Sequence, residues 1–274
     1  MSLAYLGTSG FAVEVMAHFA PDLVVTRPDR PAGRGRRLSS PPVADAARER
    51  GLPVEQPDDV HALDLSGFDD VVVCAFGAMI REPLLSHPGL VNVHPSLLPR
   101  WRGAAPIERA IMAGDAETGV CIMRMVEELD AGPVCARRCL PIATEDDYGS
   151  LSDRLAAAAA ELLAEYLRDR PPCAEQGGEG MTYAEKIGSA DRLLDPARGA
   201  EENALVVRAL SPHIGAKAGE LGVWRARAVA GTAEPGSLRV DDGRLVWGCR
   251  EGLLELLEVQ PPGKRRMPAA EFAR

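Results

Sequence analysis

The sequence predicts a two-domain α/β protein in which a domain built on a parallel β-sheet is followed by a smaller β-barrel. Three observations lead to this prediction. Short apolar strands alternate with helical patterns in the first part of the chain, a Pro- and Gly-rich break follows Asp169, and short strands separated by turns fill most of the remainder. A length of 274 residues and a hydrophobic fraction of 46% can supply a core for each domain.

The first domain, at residues 1–169, is predicted from strands that lack polar alternation. Leu3 to Gly7, Leu23 to Thr26 and Val71 to Ala75 are short apolar or β-branched runs, as expected of strands buried on both faces. Between them, Ala12 to Phe19 and Val43 to Arg50 carry apolar residues at helical spacing. This alternation indicates a parallel sheet with right-handed crossovers.

The pattern continues to the end of the first domain. Val91 to His94 and Val120 to Val126 are predicted as strands, and Ala105 to Ala113 as a helix. Ser150 to Arg168 is the clearest helix, with Ser150 and Asp153 spaced as an N-cap and its N3 acid. In such sheets chemistry gathers at the carboxyl ends of the strands, so residues that follow the two strands are the first candidates for a site.

A break and a second domain are predicted after Asp169. The Pro and Gly content of 170–180 favours a linker, which we place at residues 170–190. In residues 191–274, strand-like runs at regular spacing indicate a small β-barrel: Leu221 to Val229, Gly236 to Val240, Arg244 to Cys249 and Leu253 to Val259.

Composition narrows the classes of function. The net charge of −9 argues against indiscriminate nucleic-acid binding but allows a local basic site. The six cysteines form no C-x-x-C pair, so neither a zinc knuckle nor a redox motif is expected, and a disulfide framework is not expected either. The chain has no apolar run of about 18 residues and no signal-peptide pattern at its start, so we expect a cytoplasmic location.

Two side chains on one predicted strand are the first candidates for chemistry. Asn92 and His94 project to the same face because side chains on a strand repeat every two residues. An amide donor and an imidazole that point at the same place suit attack on a carbonyl group. The Asn92 amide can donate to the oxyanion that develops, and His94 can either stabilise the same oxyanion or move a proton. A structural role for a single histidine at a strand end is the competing interpretation.

A carboxylate follows the next predicted strand, in the segment Glu127 to Pro133. Asp130 beside an imidazole would orient it or accept the proton of an attacking amine. A polar turn capped by Asp130 explains the same residues. By contrast, Gly7 to Gly10 lacks the spacing of a dinucleotide-binding turn, and no metal-ligand cluster is present in the sequence.

An arginine-rich segment stands out in an otherwise acidic protein. Arg27 to Leu38 follows a predicted strand, is punctuated by Pro and Gly, and concentrates positive charge in a non-helical loop. Guanidinium groups bind phosphates, so RNA contact and a solvated charged face are both open at this point. The five arginines are Arg27, Arg30, Arg34, Arg36 and Arg37.

Taken together, five segments resemble the methionyl-tRNA formyltransferase family, and the likeness covers nearly the whole chain. Asn92 to Ile107 and Gly114 to Val120 are similar to the family's folate and formyl-transfer signature, and Leu129 to Pro133 is similar to the loop with its essential aspartate. Pro28 to Leu38 resembles the inserted loop with which these enzymes meet the acceptor stem of tRNA. In the C-terminal part, Thr182 to Ile187 is also similar to the family.

The resemblance implies a Rossmann-like formyltransferase domain followed by an OB-like barrel, with 10-formyltetrahydrofolate as co-substrate, no metal and no membrane association. It implies that the protein acts as a monomer on initiator methionyl-tRNA. The implied catalytic residues are Asn92, His94 and Asp130. The implied folate-binding residues are Phe76, Gly77, Ser96, Leu97, Leu98 and Pro99. The five arginines named above are the implied tRNA-binding residues.

Two alternatives share parts of this pattern. An amino-sugar nucleotide N-formyltransferase would have the same trio of Asn, His and Asp but would not need the arginine loop. A catalytically silent RNA-binding protein on the same fold would not need the trio to be intact. The acceptor therefore depends chiefly on the arginine loop and the second domain, while the trio indicates the class of reaction.

Overall fold

The computed structural model describes residues 2–32 and 37–274. The chain divides into two compact units that interrupt each other along the sequence. The first comprises Met1–Gly103, Gly119–Leu140 and Ser152–Tyr183, and the second comprises Ala104–Thr118, Pro141–Leu151 and Ala184–Arg274. The α-helices are α1 (Gly10–Met16), α2 (Pro42–Glu49), α3 (Pro106–Met112), α4 (Tyr148–Asp169), α5 (Ala200–Leu210) and α6 (Ala269–Phe272).

The first unit is built on a Rossmann-like sheet whose inner strands are parallel. Its strands are β1 (Leu3–Gly7), β2 (Leu23–Val25), β5 (Val54–Glu55), β6 (Asp70–Cys74), β7 (Leu90–His94), β9 (Glu117–Arg124) and β10 (Val134–Pro141), in the spatial order β10-β9-β7-β6-β1-β2-β5. The strands from β7 to β5 are parallel, as the sequence predicts. Every residue of β1 and β6 is buried, because both faces of a parallel sheet are covered.

Strand β9 differs from the predicted arrangement. It runs antiparallel to β7, with Val91 opposite Arg124 and His94 opposite Cys121. Its carboxyl end therefore lies beside the start of β7, at the opposite end from His94. The loop that follows β9 must turn back along β7 before any of its side chains can approach His94.

The longest helix begins two residues earlier than the pattern suggests. Helix α4 spans Tyr148–Asp169, and Asp147 caps its start: the Ser150 backbone N–H donates to Asp147 Oδ1 at 2.9 Å, and the Asp147 N–H donates to Ser150 Oγ at 3.2 Å. These reciprocal bonds form a capping box with Ser150 at its third helical position, so the predicted N-cap role of Ser150 is wrong. No helix in the described part of the chain is long and apolar enough to cross a membrane.

The arginine-rich segment is framed by a short antiparallel pair. Strands β3 (Arg30–Ala32) and β4 (Arg37–Ser39) pair with Pro31 opposite Leu38. Helix α2 starts directly afterwards at Pro42, whose fixed φ suits the first turn of a helix, and buries Val43, Ala44 and Ala47.

A disulfide joins Cys135 to Cys173, which the sequence analysis did not expect. The bridge spans a sequence separation of 38 residues, so local spacing could not reveal it. The backbones of Val134 and Ala174 exchange two hydrogen bonds of 2.8 and 2.9 Å next to the bridge, which places both cysteines side by side. The segment after α4 is thereby fixed to the start of β10.

The second unit contains a curled antiparallel sheet of the OB-like, barrel-forming kind. Its path is β12-β13-β16-β15-β14, with β17 paired to β16. The strands are β12 (Ala216–Ala218), β13 (Leu221–Val229), β14 (Leu238–Asp241), β15 (Arg244–Gly248), β16 (Leu253–Gln260) and β17 (Met267–Pro268). Alternating apolar residues on these strands face helix α5, whose Val206, Val207 and Leu210 are buried in the same core.

Neither compact unit is a single continuous stretch of sequence, whereas the predicted domains are residues 1–169 and 191–274. Helix α3 contributes Met112 to the core around α5, so residues early in the sequence belong to the second unit. The first unit, in turn, extends through the proposed linker to Tyr183, which pairs as β11 (Tyr183–Ala184); β8 is Arg102–Gly103. The predicted domain boundaries stay a prediction.

Candidate active site

Strand β7 presents Asn92 and His94 as the sequence predicts. Val91 and Val93 are buried and alternate with the two polar residues, and hydrogen bonding to β6 and β9 fixes the strand in the interior of the sheet. His94 is 4% exposed and Asn92 is partly exposed. Burial raises the pKa of the Cys121 thiol opposite His94, so that sulfur stays protonated and is no candidate nucleophile.

Asp130 reaches the two strand residues from the loop between β9 and β10. Its carboxylate accepts the backbone N–H of Gly103 at 2.8 Å through Oδ2 and the side-chain amide of Asn92 at 3.3 Å through Oδ1. Oδ2 lies 3.7 Å from His94 Nδ1, which is an electrostatic contact beyond hydrogen-bond distance. The structure therefore brings together the three residues that the sequence analysis selected as catalytic.

A backbone carbonyl fixes the protonation pattern of His94. Nε2 lies 2.9 Å from the carbonyl oxygen of Trp101, and a carbonyl can only accept, so Nε2 carries a hydrogen. Trp101 has the left-handed φ of 62°, a conformation that costs an ordinary residue about 1–2 kcal/mol, and its N–H donates to Thr182 Oγ1 at 3.0 Å. The strained residue thus holds the imidazole with Nδ1 directed toward Asp130.

The loop after His94 is stabilised from within. Ser96 is fully buried and its hydroxyl donates to the Arg100 carbonyl at 2.6 Å, while Leu98 packs with Cys121 and Met123 in a small core. Leu97 is half-buried and packs so closely on Gly119 that a Cβ there would lie 2.6 Å from its side chain. The side chains of Ser96 and Leu98, both predicted to bind folate, therefore stabilise this loop from within, while those of Leu97 and Pro99 are partly exposed.

A cleft of about 340 Å³ opens at the carboxyl ends of β1, β2 and β6. Its lining combines two residues predicted to bind folate, Phe76 and Gly77, with two predicted to bind tRNA, Arg27 and Arg30. Arg27 Nη1 donates to the Gly77 carbonyl at 2.8 Å, and a Cβ on Gly77 would meet nothing within 4 Å. None of the described lining residues of this cleft comes from Ser96 to Pro99.

The remaining predicted arginines are only partly described. Arg34 and Arg36 lie outside the described residues, and Arg37 is described as part of β4 without its side chain. Arg30 is exposed at the start of β3. Among residues 2–32 and 37–274, no group of His, Cys, Asp and Glu side chains is arranged to hold a metal ion.

Three residues at the site escaped the sequence analysis. Gly103 contributes its N–H to Asp130, Arg102 is 5% exposed beneath it, and Gln176 contacts the backbone of the Asp130 loop. Arg102 and Gly103 belong to the signature that the sequence analysis quoted, but their pattern does not reveal which group each would bind. Gln176 lies in the segment predicted as a linker, and no local signal marks it.

Comparison with known proteins shows which family the chain belongs to. Residues 15–167 match the family model described as formyl transferase, and residues 186–274 match the formyl transferase C-terminal domain. The methionyl-tRNA formyltransferase of Aromatoleum aromaticum is 43% identical over 297 residues, which cover 100% of this chain and 94% of the relative. That of Paracoccus denitrificans is 44% identical over 291 residues, covering 100% and 97%.

Solved structures share the fold at low identity. An N-formyltransferase from Helicobacter canadensis, in complex with folinic acid and dTDP-3-aminofucose, superposes with a TM-score of 0.70 at 14% identity and covers 93% of this chain and 98% of its own. HypX from Aquifex aeolicus with tetrahydrofolic acid gives a TM-score of 0.68 at 19% identity, covering 99% of this chain and 46% of HypX.

The fold and the matched domains define a formyl transferase. With relatives above 40% identity along its full length, the chain belongs to the methionyl-tRNA formyltransferase family.

Proposed function

We propose that the protein transfers the formyl group of 10-formyltetrahydrofolate to the amino group of methionyl-initiator tRNA, giving formylmethionyl-tRNA for translation initiation in the cytoplasm. The observation that carries this proposal is the contact of Asp130 with Asn92 and His94, in a chain that belongs to the methionyl-tRNA formyltransferase family. We propose further that the protein acts as a monomer.

The chemistry requires stabilisation of an oxyanion and removal of a proton. When an amine attacks a formyl carbon, a new C–N bond forms, negative charge develops on the formyl oxygen and the amine must lose a proton. An amide nitrogen carries two hydrogens, so Asn92 can keep its bond to Asp130 and donate the second hydrogen to the oxyanion.

His94 and Asp130 would act as a pair in this scheme. Since Nε2 bonds to the Trp101 carbonyl, His94 donates to an oxyanion from Nδ1 only in its imidazolium form. The Asp130 carboxylate, 3.7 Å from Nδ1, stabilises that positive charge and is also the group placed to accept the amine proton. The bond between the formyl carbon and the folate nitrogen then breaks, its electron pair stays on that nitrogen, and the nitrogen takes up the proton that Asp130 removed from the amine, so that the donor leaves as tetrahydrofolate.

The residues that would bind the two substrates remain part of the proposal. The stiff loop from Ser96 to Pro99 and the open space at Gly77 support binding of a flat folate. The concentration of arginines in the sequence of this segment supports phosphate contact, with Arg27, Arg30, Arg34, Arg36 and Arg37 meeting the acceptor end of tRNA.

A formylation assay with purified protein tests the function. It offers initiator methionyl-tRNA, elongator methionyl-tRNA and an amino-sugar nucleotide in parallel, each with 10-formyltetrahydrofolate. We expect formyl transfer to initiator methionyl-tRNA. Transfer only to the amino sugar, or no transfer at all, would contradict the proposal and favour one of the two alternatives.

The arginine loop is tested by replacing Arg34, Arg36 and Arg37 with alanine together. We expect a higher KM for tRNA, an unchanged KM for folate and a shallower salt dependence, since each lost phosphate contact lowers the log–log slope by about 1. Arg168→Ala is the control, because it removes an exposed arginine that pairs with its neighbour Asp169. Unchanged tRNA kinetics in the triple variant would remove the loop from the proposal.

A further inference from the structure

The backbone of the Asp130 loop needs support from outside the loop. Asp130 has φ 48°, in the left-handed region that residues with a side chain adopt uncommonly, although Asp adopts it more readily than most. The residues before it gain little from burial, since Val126 and Leu129 are 40% and 54% exposed. A strained turn on an exposed loop would not by itself hold a carboxylate in one place.

Gln176 supplies that support from another part of the first unit. Its Nε2 donates to the carbonyl of Asp130 at 2.8 Å and to the carbonyl of Gly132 at 2.8 Å. Both hydrogens of the amide are thereby used on the two carbonyls that flank Ala131. The side chain thus closes the turn by bonding to its first and third residues.

Arg102 determines which way the Gln176 amide points. Arg102 Nε and Nη2 lie 3.1 and 2.9 Å from Gln176 Oε1, and a guanidinium can only donate, so the amide oxygen must face Arg102 and the nitrogen must face the turn. Arg102 is 5% exposed, and its charge is balanced by Glu128 Oε1 at 3.1 Å. A buried, paired guanidinium fixes the amide far better than solvent would.

The residue after Arg102 contacts the side chain of Asp130, whereas Gln176 contacts its backbone. Gly103, next to Arg102, donates its N–H to the Asp130 carboxylate at 2.8 Å. We propose that Gln176 is a positioning residue, which fixes the backbone at Asp130 so that the carboxylate stays in contact with Asn92 and His94. This proposal rests on the proposed function for its kinetic consequence, but its structural part can be measured without activity.

Two substitutions separate positioning from general stability. Gln176→Glu keeps the length of the side chain and an acceptor for Arg102 but loses both donors to the turn. Gln176→Met loses donors and acceptor alike. Arg50→Met is the matched control in the same unit, because Arg50 also donates to two backbone carbonyls, those of Met16 and Phe19, away from Asp130.

We expect both Gln176 variants to lower kcat by about 10- to 100-fold, the scale of a misplacement of about 1 Å, with KM for either substrate within about threefold. Arg50→Met should keep kcat at a similar melting temperature. A kcat loss confined to Gln176→Met, a loss seen only in KM, or equal losses in all three variants would overturn the proposal.

Amide hydrogen exchange at Gly103 decides the structural part independently. We expect this amide to exchange faster in Gln176→Glu than in the wild-type protein, and at the wild-type rate in Arg50→Met, because its acceptor is the Asp130 carboxylate. Unchanged exchange in Gln176→Glu would refute the positioning role. If the wild-type protein failed to formylate methionyl-tRNA, the proposed function would be wrong, but the exchange rate of the Gly103 amide would still show whether Gln176 positions Asp130.

Discussion

Replacing Asp130 with asparagine should damage the site more than its near-identical shape suggests. The carboxylate accepts the Gly103 N–H at one oxygen and the Asn92 amide at the other. An asparagine has one acceptor and one donor group, so its NH₂ would face either the Gly103 N–H or the Asn92 amide, and only a flip of the Asn92 amide, which withdraws the Asn92 NH₂ from this contact, would relieve the second case. A buried donor left without an acceptor costs about 1–3 kcal/mol, and the loop will shift to relieve it.

The lost charge adds a second effect, which acts on the reaction. Asp130 Oδ2 lies 3.7 Å from His94 Nδ1, and the two side chains are 11% and 5% exposed. With an effective dielectric constant of about 20, an imidazolium at that distance is stabilised by roughly 4 kcal/mol, which corresponds to about 10³ in rate. We therefore expect kcat of Asp130→Asn to fall by about 10³.

The assay is single-turnover formylation of methionyl-tRNA at saturating substrates, with melting temperatures measured alongside. Asp169→Asn is the control, since it removes a carboxylate that pairs only with the exposed Arg168 beside it in the described contacts. A folded Asp130→Asn variant that retained more than about a tenth of the wild-type rate would refute the electrostatic role assigned to Asp130.

Three further predictions follow from the same structure. Asn92→Ala should lower kcat by about 10²–10³ with the fold intact, as expected for a lost oxyanion donor, and single-turnover rates near those of the wild type would contradict its role. Reducing the Cys135–Cys173 bridge, which closes a loop of 38 residues, should lower the free energy of unfolding by up to about 4 kcal/mol. If chemical unfolding curves recorded with and without a dithiol coincide, the bridge contributes nothing to stability. Burial raises the pKa of the Cys74 thiol from 9.0 to about 12, so with rising pH the unfolded chain loses this proton before the folded chain does. The free energy of unfolding should therefore fall between about pH 9 and pH 12. Urea unfolding at a series of pH values would measure this fall, which should be smaller in Cys74→Ala.

Much of the fold could be predicted because local sequence and burial agree. Apolar runs become the parallel strands β1 and β2 and, after its first residue Asp70, β6, since apolar side chains tolerate cover on both faces of a sheet. The alternation of Val91, Asn92, Val93 and His94 sets both the strand and the common face of its polar residues. Residue type and position made Asn92, His94 and Asp130 candidates, and the resemblance to a known family selected them as catalytic.

Other features depend on groups far apart in the sequence. The antiparallel direction of β9, the Cys135–Cys173 bridge and the packing of α3 with α5 arise from long-range pairing, which leaves no periodic signal. The tautomer of His94 depends on a carbonyl seven residues away that a strained Trp101 directs toward it.

The sequence by itself determined the buried strands and the face shared by Asn92 and His94, because these follow from side-chain periodicity, and its resemblance to a known family indicated the reaction class. Only the tertiary structure decided what holds Asp130 against them. Gly103 and Gln176 bind the two ends of that residue from 27 and 46 positions away, and hydrogen bonds over such separations exist only once the chain has folded.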